Sequence, residues 1–385
     1  MTQKRAAVIG GGIGGLTAAL ALRRRGIEAQ VFERGAELRR VQLGGGLHLW
    51  TNAMRALGEL GMADRMRDMG SVLEETEYRS WRGRLIARWP IGEIGREVGI
   101  PDVGVSRRDM HAVLAEAVGD EALHFGAVMT DFREDGDGVV ARFADGREER
   151  VDILIGADGI RSTVRAQVLG SAPPRFAGYT QWQTIAPESA ALLSAGKEYV
   201  VFGPGKRAIL HHVGGGALFW AAVVYGPEGA AEQRDGRKAR LLDQFQGWME
   251  PLEKAITATP EDDITGFDIC DRPPVRAWGS GRVTLLGDAA HPMTTNLSQG
   301  ACLAMEDGVV LARCLDKTAD LARALREYER VRIERTTAFV NRSHRIAGMG
   351  AWKQPAVTAV RDRVMSFALG GPDLKHHRQF AASGF

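Results

Sequence analysis

The sequence has 385 residues, 44% of them hydrophobic and 25% charged, which suffices for a large core and for two domains or one composite unit. Its formal net charge of +2 comes from evenly mixed charges without a basic block, so nucleic acid is not an expected partner. The three cysteines lack metal-ligand or CxxC spacing, and no stretch approaches the ~20 apolar residues of a membrane span, so we expect a cytoplasmic protein without zinc, dithiol chemistry or a membrane anchor.

The first predicted elements form a βαβ unit in residues 5–33. The segments RAAVIG and EAQVFE have strand patterns, and LTAALALRRRG between them has apolar residues at helical spacing. Lys4 and Arg5 before an apolar run superficially imitate a signal peptide. The glycine spacing in the turn between strand and helix favours the βαβ interpretation.

That turn matches the GxGxxG pattern through Gly10, Gly12 and Gly15. The first glycine permits a tight turn, the second lets the backbone approach a pyrophosphate, and the third lets the helix pack closely on the strand. Glu33 ends the second strand, where a carboxylate can accept hydrogen bonds from ribose hydroxyls. The unit therefore predicts a dinucleotide site, although this motif alone does not distinguish NAD from FAD.

The rest of the chain alternates between helical and strand-like segments. In chain order the patterns predict a loop leading into a helix at 44–61, antiparallel strands at 75–91, a helix at 107–118, a hairpin and a buried strand between 139 and 158, β-rich pieces at 176–225, a helix around 236–258, a strand in RVTLLGD, and helices at about 300–315 and 320–347. The predicted fold class is α/β, with a sheet assembled from segments that are distant in sequence.

Two aspartates repeat the arrangement of a polar residue directly after a strand. Asp158 follows the strand of ILIGADGIRSTVR, and Asp288 follows the strand of RVTLLGDAAHP. Each aspartate taken alone is equally compatible with a helix N-cap.

Together with the glycine turn, these segments resemble the FAD-dependent aromatic hydroxylases, the single-component flavoprotein monooxygenases of the 4-hydroxybenzoate hydroxylase type. The similarity runs from AAVIGGGIGG to LREYERVRIER, with three motifs in the expected order. It implies a Rossmann-like FAD-binding domain with an inserted β-rich substrate domain and C-terminal helices. The corresponding boundaries are 1–70, 100–170 and 275–350 for FAD, 71–99 and 171–274 for substrate, and 351–385 for a C-terminal helix and tail.

The resemblance also implies which residues hold FAD without a covalent bond. The residues that inherit this role by position are Gly10, Gly12, Gly15, Glu33, Arg34, Gly45, Arg107, Val128, Asp158, Asp288, Gly300 and Ala301. Gly300 and Ala301 open a predicted helix, whose first N–H groups suit the negative charge of a reduced flavin. Arg107 has an alternative role as a solvated charge at a helix end.

The chemistry implied by the resemblance is aromatic hydroxylation. NADPH or NADH would reduce FAD, dioxygen would add to the flavin C4a, and the hydroperoxide would oxygenate a small aromatic or heteroaromatic substrate. A second GxGxxG unit is missing from the sequence, as in these hydroxylases. Alternatives are an epoxidase or tailoring oxygenase of a larger metabolite and, less favoured, a flavin oxidase or a non-catalytic flavin-binding protein. Oligomeric state is left open.

Candidate catalytic residues are His48, His212 and Arg207. Similar 6-hydroxynicotinate hydroxylases also have histidine at the position of His48. His211 and His212 lie next to each other on a predicted strand, so only one of them can face a pocket, and the resemblance favours His212. Each histidine is alternatively structural, and Arg207 is alternatively a surface charge. The nine histidines show no ligand spacing with carboxylates, so no metal is expected.

Candidate substrate contacts are His48, Trp182, His212, Phe219, Thr295 and Asn296. Phe219 and Trp220 alternate faces, so at least one of them should belong to the core. Many relatives have proline at the position of Thr295, and the urate hydroxylases have an acidic residue at the position of Asn296. A neutral amide cannot serve as a general base, so urate is a disfavoured substrate.

Overall fold

The computed structural model describes residues 3–37, 45–187 and 189–385. The strands are β1 (Arg5–Ile9), β2 (Glu28–Glu33), β3 (Gly46–Leu49), β4 (Ser71–Leu73), β5 (Glu75–Ser80), β6 (Leu85–Trp89), β7 (Asp102–Ser106), β8 (Leu123–Phe125), β9 (Met129–Asp135), β10 (Gly138–Phe143), β11 (Glu148–Val151), β12 (Ile153–Gly156), β13 (Arg175–Ala186), β14 (Lys197–Gly203), β15 (Lys206–His212), β16 (Leu218–Tyr225), β17 (Thr265–Asp271) and β18 (Val283–Leu285). The helices are α1 (Ile13–Arg23), α2 (Thr51–Glu59), α3 (Ala63–Met69), α4 (Ile91–Val98), α5 (Arg107–Val118), α6 (Thr163–Leu169), α7 (Arg237–Gln244), α8 (Leu252–Ala258), α9 (Gly300–Asp316), α10 (Leu321–Gly350), α11 (Pro355–Gly370) and α12 (Pro372–Ala382).

A five-stranded parallel sheet has the order β18-β12-β1-β2-β8. Its central strand is buried on both faces, as the continuous apolar sequence of β1 requires. Gly308 lets α9 lie close to α1, because a Cβ there would lie 2.9 Å from the backbone nitrogen of Ala18. All strands run in one direction, so the segments after β1, β12 and β18 emerge at the same edge. The predicted α/β class with a parallel sheet is confirmed.

A seven-stranded sheet has the order β17-β13-β16-β15-β14-β5-β6. The prediction of antiparallel strands at 75–91 is confirmed, since β5 and β6 pair antiparallel. Helices α7 and α8 cover one face, where Leu241 and Phe245 pack on Leu210 and Trp220. The other face carries the alternate residues of β15 and β16. This sheet therefore has a helix-covered face and an opposite face, which we call the pocket face.

Three details of the sequence prediction were wrong. Residues 46–49, expected in a loop, form β3, because they pair with β7 in a three-stranded sheet that also contains β4. The single helix expected around 236–258 is two helices, α7 and α8, and Pro251 directly precedes the second of them. The segment expected to be a C-terminal tail forms α12, in which His377 is buried and stacks on Trp89. The domain boundaries stay a prediction.

Candidate active site

The glycine turn after β1 leaves open space directly in front of the start of α1. Gly10 has a φ of +108°, and a Cβ there would collide with the carbonyl oxygen of Ala157. A Cβ on Gly15 would collide with the carbonyl oxygen of Gly10. A Cβ on Gly12, by contrast, would have nothing within 4 Å. Because the first N–H groups of a helix attract anions, the space at Gly12 fits a pyrophosphate.

Glu33 is fixed beside this turn by two backbone amides. Its Oε2 accepts a hydrogen bond from the Gly11 nitrogen and its Oε1 accepts one from the Gly35 nitrogen, both at 2.7 Å. A small recess beside this turn is lined by Gly11, Leu16, Val31, Glu33, Leu123, His124 and Phe125. His111, which the sequence did not reveal, donates from Nε2 to the Gly11 carbonyl at 2.6 Å. Burial lowers the pKa of His111, so this imidazole is neutral and stabilises the turn.

Arg34 and Val128, two further residues expected to bind the cofactor, are both exposed. Arg34 directly follows Glu33 and is exposed. Val128 is 46% exposed, and its carbonyl accepts a hydrogen bond from the Ala144 nitrogen at 2.9 Å. The role of both residues in cofactor binding stays a prediction.

Asp158 binds the start of α6 with one oxygen and keeps the other oxygen free. Its Oδ2 accepts hydrogen bonds from the backbone nitrogens of Thr163, at 2.7 Å, and Val164, at 3.3 Å. Its Oδ1 is buried without a hydrogen-bond partner among the described residues. Burial raises the pKa of this carboxyl. The N-cap of α6 is Ser162, whose Oγ accepts a hydrogen bond from the Arg165 nitrogen at 2.8 Å, so the N-cap alternative for Asp158 is wrong. One oxygen of Asp158 supports the helix start from outside, and the other oxygen is left for a ligand.

Arg165 connects the Asp158 segment to the Asp288 segment. Its Nη1 donates to the carbonyl oxygens of Ala289, at 2.8 Å, and Ala290, at 2.9 Å. These carbonyls belong to the turn directly after Asp288. The two aspartate motifs are thus joined by a buried cation that the sequence analysis missed.

Asp288, Arg107 and the first residue of α9 converge on one cleft. Burial raises the pKa of Asp288, and the charges of His291 and Arg107 oppose that rise. The Asp288 side chain nevertheless reaches solvent, as expected for a carboxylate lining an open cleft. A Cβ on Gly300 would lie 3.9 Å from Asp288 Oδ1, so this carboxylate and the positive end of α9 are neighbours.

A buried ionic network fixes the start of α9. Asp307 accepts hydrogen bonds from His291 Nε2 at 2.6 Å, Arg332 Nε at 2.7 Å and the Gly287 nitrogen at 3.1 Å. These cations outweigh the effect of burial and lower the pKa of Asp307 to about 2. Arg332 also pairs with Glu306 at 2.6 Å. The Asp288 turn, α9 and α10 are therefore held together by charge-assisted hydrogen bonds.

Gly45 lies between Arg107 and the seven-stranded sheet. Its carbonyl accepts a hydrogen bond from the Arg107 nitrogen at 2.9 Å. Its φ is +129°, and a Cβ there would lie 2.5 Å from Gln183 Nε2. A glycine is therefore required where the cofactor-side residues approach the pocket face of the seven-stranded sheet.

Arg207 lies on the pocket face and is only 3% exposed. Its Nη1 donates to Asn296 Oδ1, while its Nε and Nη2 have no hydrogen-bond partner among the described residues. Asn296 is held in turn, because its Nδ2 donates to Thr294 Oγ1 at 2.9 Å and to the Tyr179 hydroxyl at 3.2 Å. The half-buried Thr295 donates to Gln181 Oε1 at 2.7 Å. Arg207 is thus a buried cation with two N–H-bearing nitrogens available for a ligand.

The structure places the two adjacent histidines differently from the sequence prediction. His212 shares the helix-covered face with Leu210, and its Nε2 donates to the Leu193 carbonyl at 2.9 Å. His211 shares the pocket face with Arg207, and its ring centroid lies 4.9 Å from that of Phe219. The preference for His212 over His211 is therefore corrected, because strand alternation in β15 turns His212 away from Arg207.

The same alternation separates the aromatic candidates. Phe219 is on the pocket face, in an apolar cluster with Ile209 and Val213. Trp182 and Trp220 are on the helix-covered face, packed with residues of α7 and α8. Trp182 is thus a core residue, and its expected contact with substrate is corrected. The expectation that one of the two adjacent aromatics belongs to the core is met by Trp220.

His48 is buried between two carboxylates, with 3% of its surface exposed. Its Nδ1 lies 3.2 Å from both oxygens of Glu198, and its Nε2 lies 3.8 Å from Asp102 Oδ2. Burial opposes the charged form, but Glu198 and Asp102 outweigh it and raise the pKa of His48 to about 9. The imidazole is therefore protonated near neutral pH and lacks the free lone pair that a general base needs.

The chain matches the family model described as FAD binding domain over residues 3–343. That match covers most of the chain and spans all three motifs that line the cleft. The chain belongs to this family of FAD-binding proteins. The predicted FAD cofactor is confirmed.

This chain is similar over most of its length to two relatives and to one solved structure. The aurachin C monooxygenase/isomerase of Stigmatella aurantiaca is 42% identical over 360 residues, covering 93% of this chain and 92% of that protein. The FAD-dependent urate hydroxylase of Klebsiella pneumoniae subsp. pneumoniae is 38% identical over 339 residues, covering 87% and 88%. The crystal structure of Klebsiella pneumoniae HpxO complexed with FAD and uric acid superposes with a TM-score of 0.91 at 33% identity, covering 99% and 97% of the two chains. The chain is thus an FAD-dependent monooxygenase, and the predicted resemblance and enzyme class are confirmed.

None of the helices in the ranges 3–37, 45–187 and 189–385 is long and apolar enough to cross a membrane.

Proposed function

We propose that this monooxygenase uses NADPH or NADH and dioxygen to hydroxylate a small aromatic or heteroaromatic substrate in the cytoplasm. One oxygen atom would enter the product and the other would leave as water, with the reduced nucleotide as electron donor. The observation that carries the proposal is the buried, incompletely paired Arg207 on the pocket face. The three free cysteines fit a reducing compartment.

Arg207 supports a substrate that has an oxygen acceptor or a negative charge. A buried guanidinium is costly unless its N–H groups are hydrogen-bonded, and the Nε and Nη2 nitrogens of Arg207 have no partner among the described residues. Its pairing with Asn296 supplies an oxygen but no negative charge. A substrate hydroxyl, carbonyl or carboxylate oxygen would satisfy the two open nitrogens, and the cation would stabilise charge that develops on that oxygen during ring oxygenation.

The surroundings of Arg207 support a planar, apolar substrate body. Phe219 and Ile209 provide an apolar wall on the pocket face. His211 supplies an additional acceptor there. Burial lowers the pKa of His211 to about 4, because the charge of Glu198, which raises it, is outweighed by burial together with the charge of His48. With Nδ1–H donating to the His212 carbonyl at 3.1 Å, the Nε2 lone pair of His211 is available to a substrate N–H or O–H.

The residues lining the cleft would hold FAD by its two ends. The turn at Gly12 and the carboxylate of Glu33 suit the adenosine diphosphate part, and Asp288, Arg107 and the start of α9 suit the remainder. When bound, FAD supplies hydride acceptance from the reduced nucleotide and activation of dioxygen. The protein's own contribution is to orient the substrate oxygen at Arg207 and to exclude water with the apolar residues around it.

Urate is a disfavoured substrate even though a urate hydroxylase is among the relatives. Asn296 has both ends of its amide engaged, with Oδ1 accepting from Arg207 and Nδ2 donating to Thr294. A neutral amide in this arrangement cannot remove a proton from a substrate. A second candidate, a tailoring oxygenase or epoxidase of a larger metabolite, is favoured by the 42% identity to the aurachin C enzyme.

The test compares substrate-stimulated NADPH and NADH oxidation with product formation for phenols, hydroxypyridines, quinolones and urate. R207Q is expected to lower kcat/KM for the accepted substrate by about 10- to 100-fold, because a charge-assisted hydrogen bond is worth about 1.5–3 kcal/mol. The control is K206Q, since Lys206 is the adjacent residue on β15 and donates to the Gln244 carbonyl on the helix-covered side. Nucleotide oxidation that yields only hydrogen peroxide with every compound would contradict the proposal.

A further inference from the structure

Strand β3 contacts two elements that line the cofactor cleft. The Gly45 carbonyl, just before this strand, accepts a hydrogen bond from the Arg107 nitrogen at 2.9 Å. The His48 carbonyl accepts one from the Cys302 thiol, in the first turn of α9, at 3.5 Å. The position of β3 is therefore coupled through its backbone to Arg107 and to the helix start that faces Asp288.

The side chain of His48 ties the same strand to the seven-stranded sheet. Glu198 projects from β14 and accepts from His48 Nδ1 with both oxygens at 3.2 Å. Thr76 on the adjacent strand donates to Glu198 Oε2 at 2.8 Å and thereby fixes the carboxylate. On its other side the imidazole stacks on Trp50, with ring centroids 3.8 Å apart and an interplanar angle of 11°. The ring is thus held in a single orientation.

The groups around His48 favour an ion pair in this position. The titratable groups facing it from the packed elements are Glu198 on β14, Asp102 on β7, His211 on β15, Cys302 on α9 and His377 on α12. His211 and His377 are neutral near pH 7, because burial lowers their pKa values to about 4 and about 3. Cys302 keeps its proton, because burial raises its pKa to about 12. Burial raises the pKa of Asp102, whereas the charge of His48 outweighs burial and lowers the pKa of Glu198 to about 2, so Glu198 is the anion that pairs with the imidazolium.

Asp102 completes the arrangement on the far side of the ring. Neither of its oxygens has a hydrogen-bond partner among the described residues, and His48 Nε2 is also without one. The separation of 3.8 Å between Nε2 and Oδ2 makes Asp102 an electrostatic neighbour of the ring rather than a hydrogen-bond acceptor. Glu198 is consequently the direct partner that fixes where the ring lies.

We propose that Glu198 is a positioning residue, which acts through its buried ion pair with His48 to hold β3, and with it Arg107 and the start of α9, in the geometry that binds FAD. A cation at His48 attracts Glu198 across the junction between the two sheets. Loss of either charge leaves the other buried and unpaired, which loosens the contact. This role assigns His48 to cofactor positioning, in place of the base function expected from the sequence.

The experiment measures the FAD dissociation constant by flavin fluorescence for wild type, E198Q and E77Q as the pH is raised from 6.5 to above 9, because His48 with a pKa of about 9 loses its charge at the upper end of this range. E77Q is the matched control, since Glu77 is also fully buried in the seven-stranded sheet and pairs with Lys197 at 2.6 Å. E198Q is expected to bind FAD about 10-fold more weakly at the lower pH and to show no further loss. Wild type and E77Q should bind alike at the lower pH and lose about 10-fold on titration.

Equal FAD affinities of E198Q and E77Q throughout the titration would overturn the proposal, as would a constant affinity of the folded wild type. If E198Q does not fold, H48Q replaces it and should show a weakened, pH-independent affinity. Unaltered FAD binding by H48Q combined with a loss of hydroxylation would instead return His48 to a role in substrate chemistry. Because FAD binding is measured without substrate, failure of the proposed hydroxylation leaves this test unaffected.

Discussion

The substitution Gly12→Ala separates cofactor binding from folding. Gly12 has φ −72° and ψ 176°, which alanine adopts without strain, and its added Cβ would meet nothing within 4 Å. The protein without FAD should therefore keep its stability or gain about 0.4–1 kcal/mol, because alanine restricts the unfolded chain. The methyl group would, however, occupy the space assigned to the pyrophosphate.

The expected loss in FAD affinity follows from the hydrogen bonds at the start of α1. Displacing the pyrophosphate from even one charge-assisted N–H contact costs about 1.5–3 kcal/mol, which corresponds to about 10- to 100-fold weaker binding. Thermal unfolding without FAD and a fluorescence titration with FAD measure the two effects separately. G348A is the control, because Gly348 lies exposed within α10 with nothing within 4 Å of an added Cβ. Wild-type FAD affinity in G12A would refute the assignment of this space to the cofactor.

Three further predictions concern the framework of the site. The pKa of Asp307 is about 2 against an ordinary 3.8, so its contribution to the unfolding free energy is present above pH 3.8 and is lost as the pH falls towards 2. The unfolding free energies of wild type and D307N should therefore converge by about 2 kcal/mol over that range. Plots of unfolding free energy against pH that run parallel for the two proteins would contradict the ion network. R165M should weaken FAD binding by about 10-fold, because the turn after Asp288 loses the two carbonyl contacts that Arg165 makes, and unchanged affinity would rule out this coupling. W220F should lower the unfolding free energy by about 1–3 kcal/mol, because Trp220 Nε1 donates a hydrogen bond to Thr259 at 3.0 Å on the helix-covered face. A changed KM for substrate would instead place Trp220 in the pocket.

The cofactor cleft was predictable because its signals are local in sequence. A GxGxxG turn, Asp158 and Asp288 each follow a strand directly, and parallel strands bring those three positions to one edge of a sheet. The order of the strands did not need to be known for this inference. The sequence pattern therefore located the backbone elements of the cleft, including the start of α9.

The residues of the pocket were harder to predict, because their assignment depends on which face of the seven-stranded sheet is covered by helices. Alternation showed that His211 and His212 point in opposite directions, but only the packing of α7 and α8 determines that His212 faces the helices. Trp182 was misassigned for the same reason. The alternation within a strand carries no signal for which side of an antiparallel sheet a distant helix covers.

Several supporting residues left no trace in the sequence because their partners are remote. His48 and Glu198 are 150 positions apart, and Arg165 contacts carbonyls 124 and 125 positions away. The strand that carries His48 exists because it pairs with β7, which is a tertiary effect that local propensity does not encode. The resemblance to hydroxylases with histidine at this position suggested a catalytic role for His48, whereas its buried carboxylate neighbours favour a fixed cation.

The most direct test of the proposed activity is isotopic. The purified protein is loaded with FAD, supplied with NADPH or NADH and isotopically labelled dioxygen, and incubated with the aromatic panel, after which products are analysed by mass spectrometry. A product that has gained one labelled oxygen atom per molecule, with one equivalent of nucleotide consumed, is the predicted result. Nucleotide consumption without labelled product for every compound, or incorporation of oxygen from water, would contradict a monooxygenase that acts on aromatic substrates.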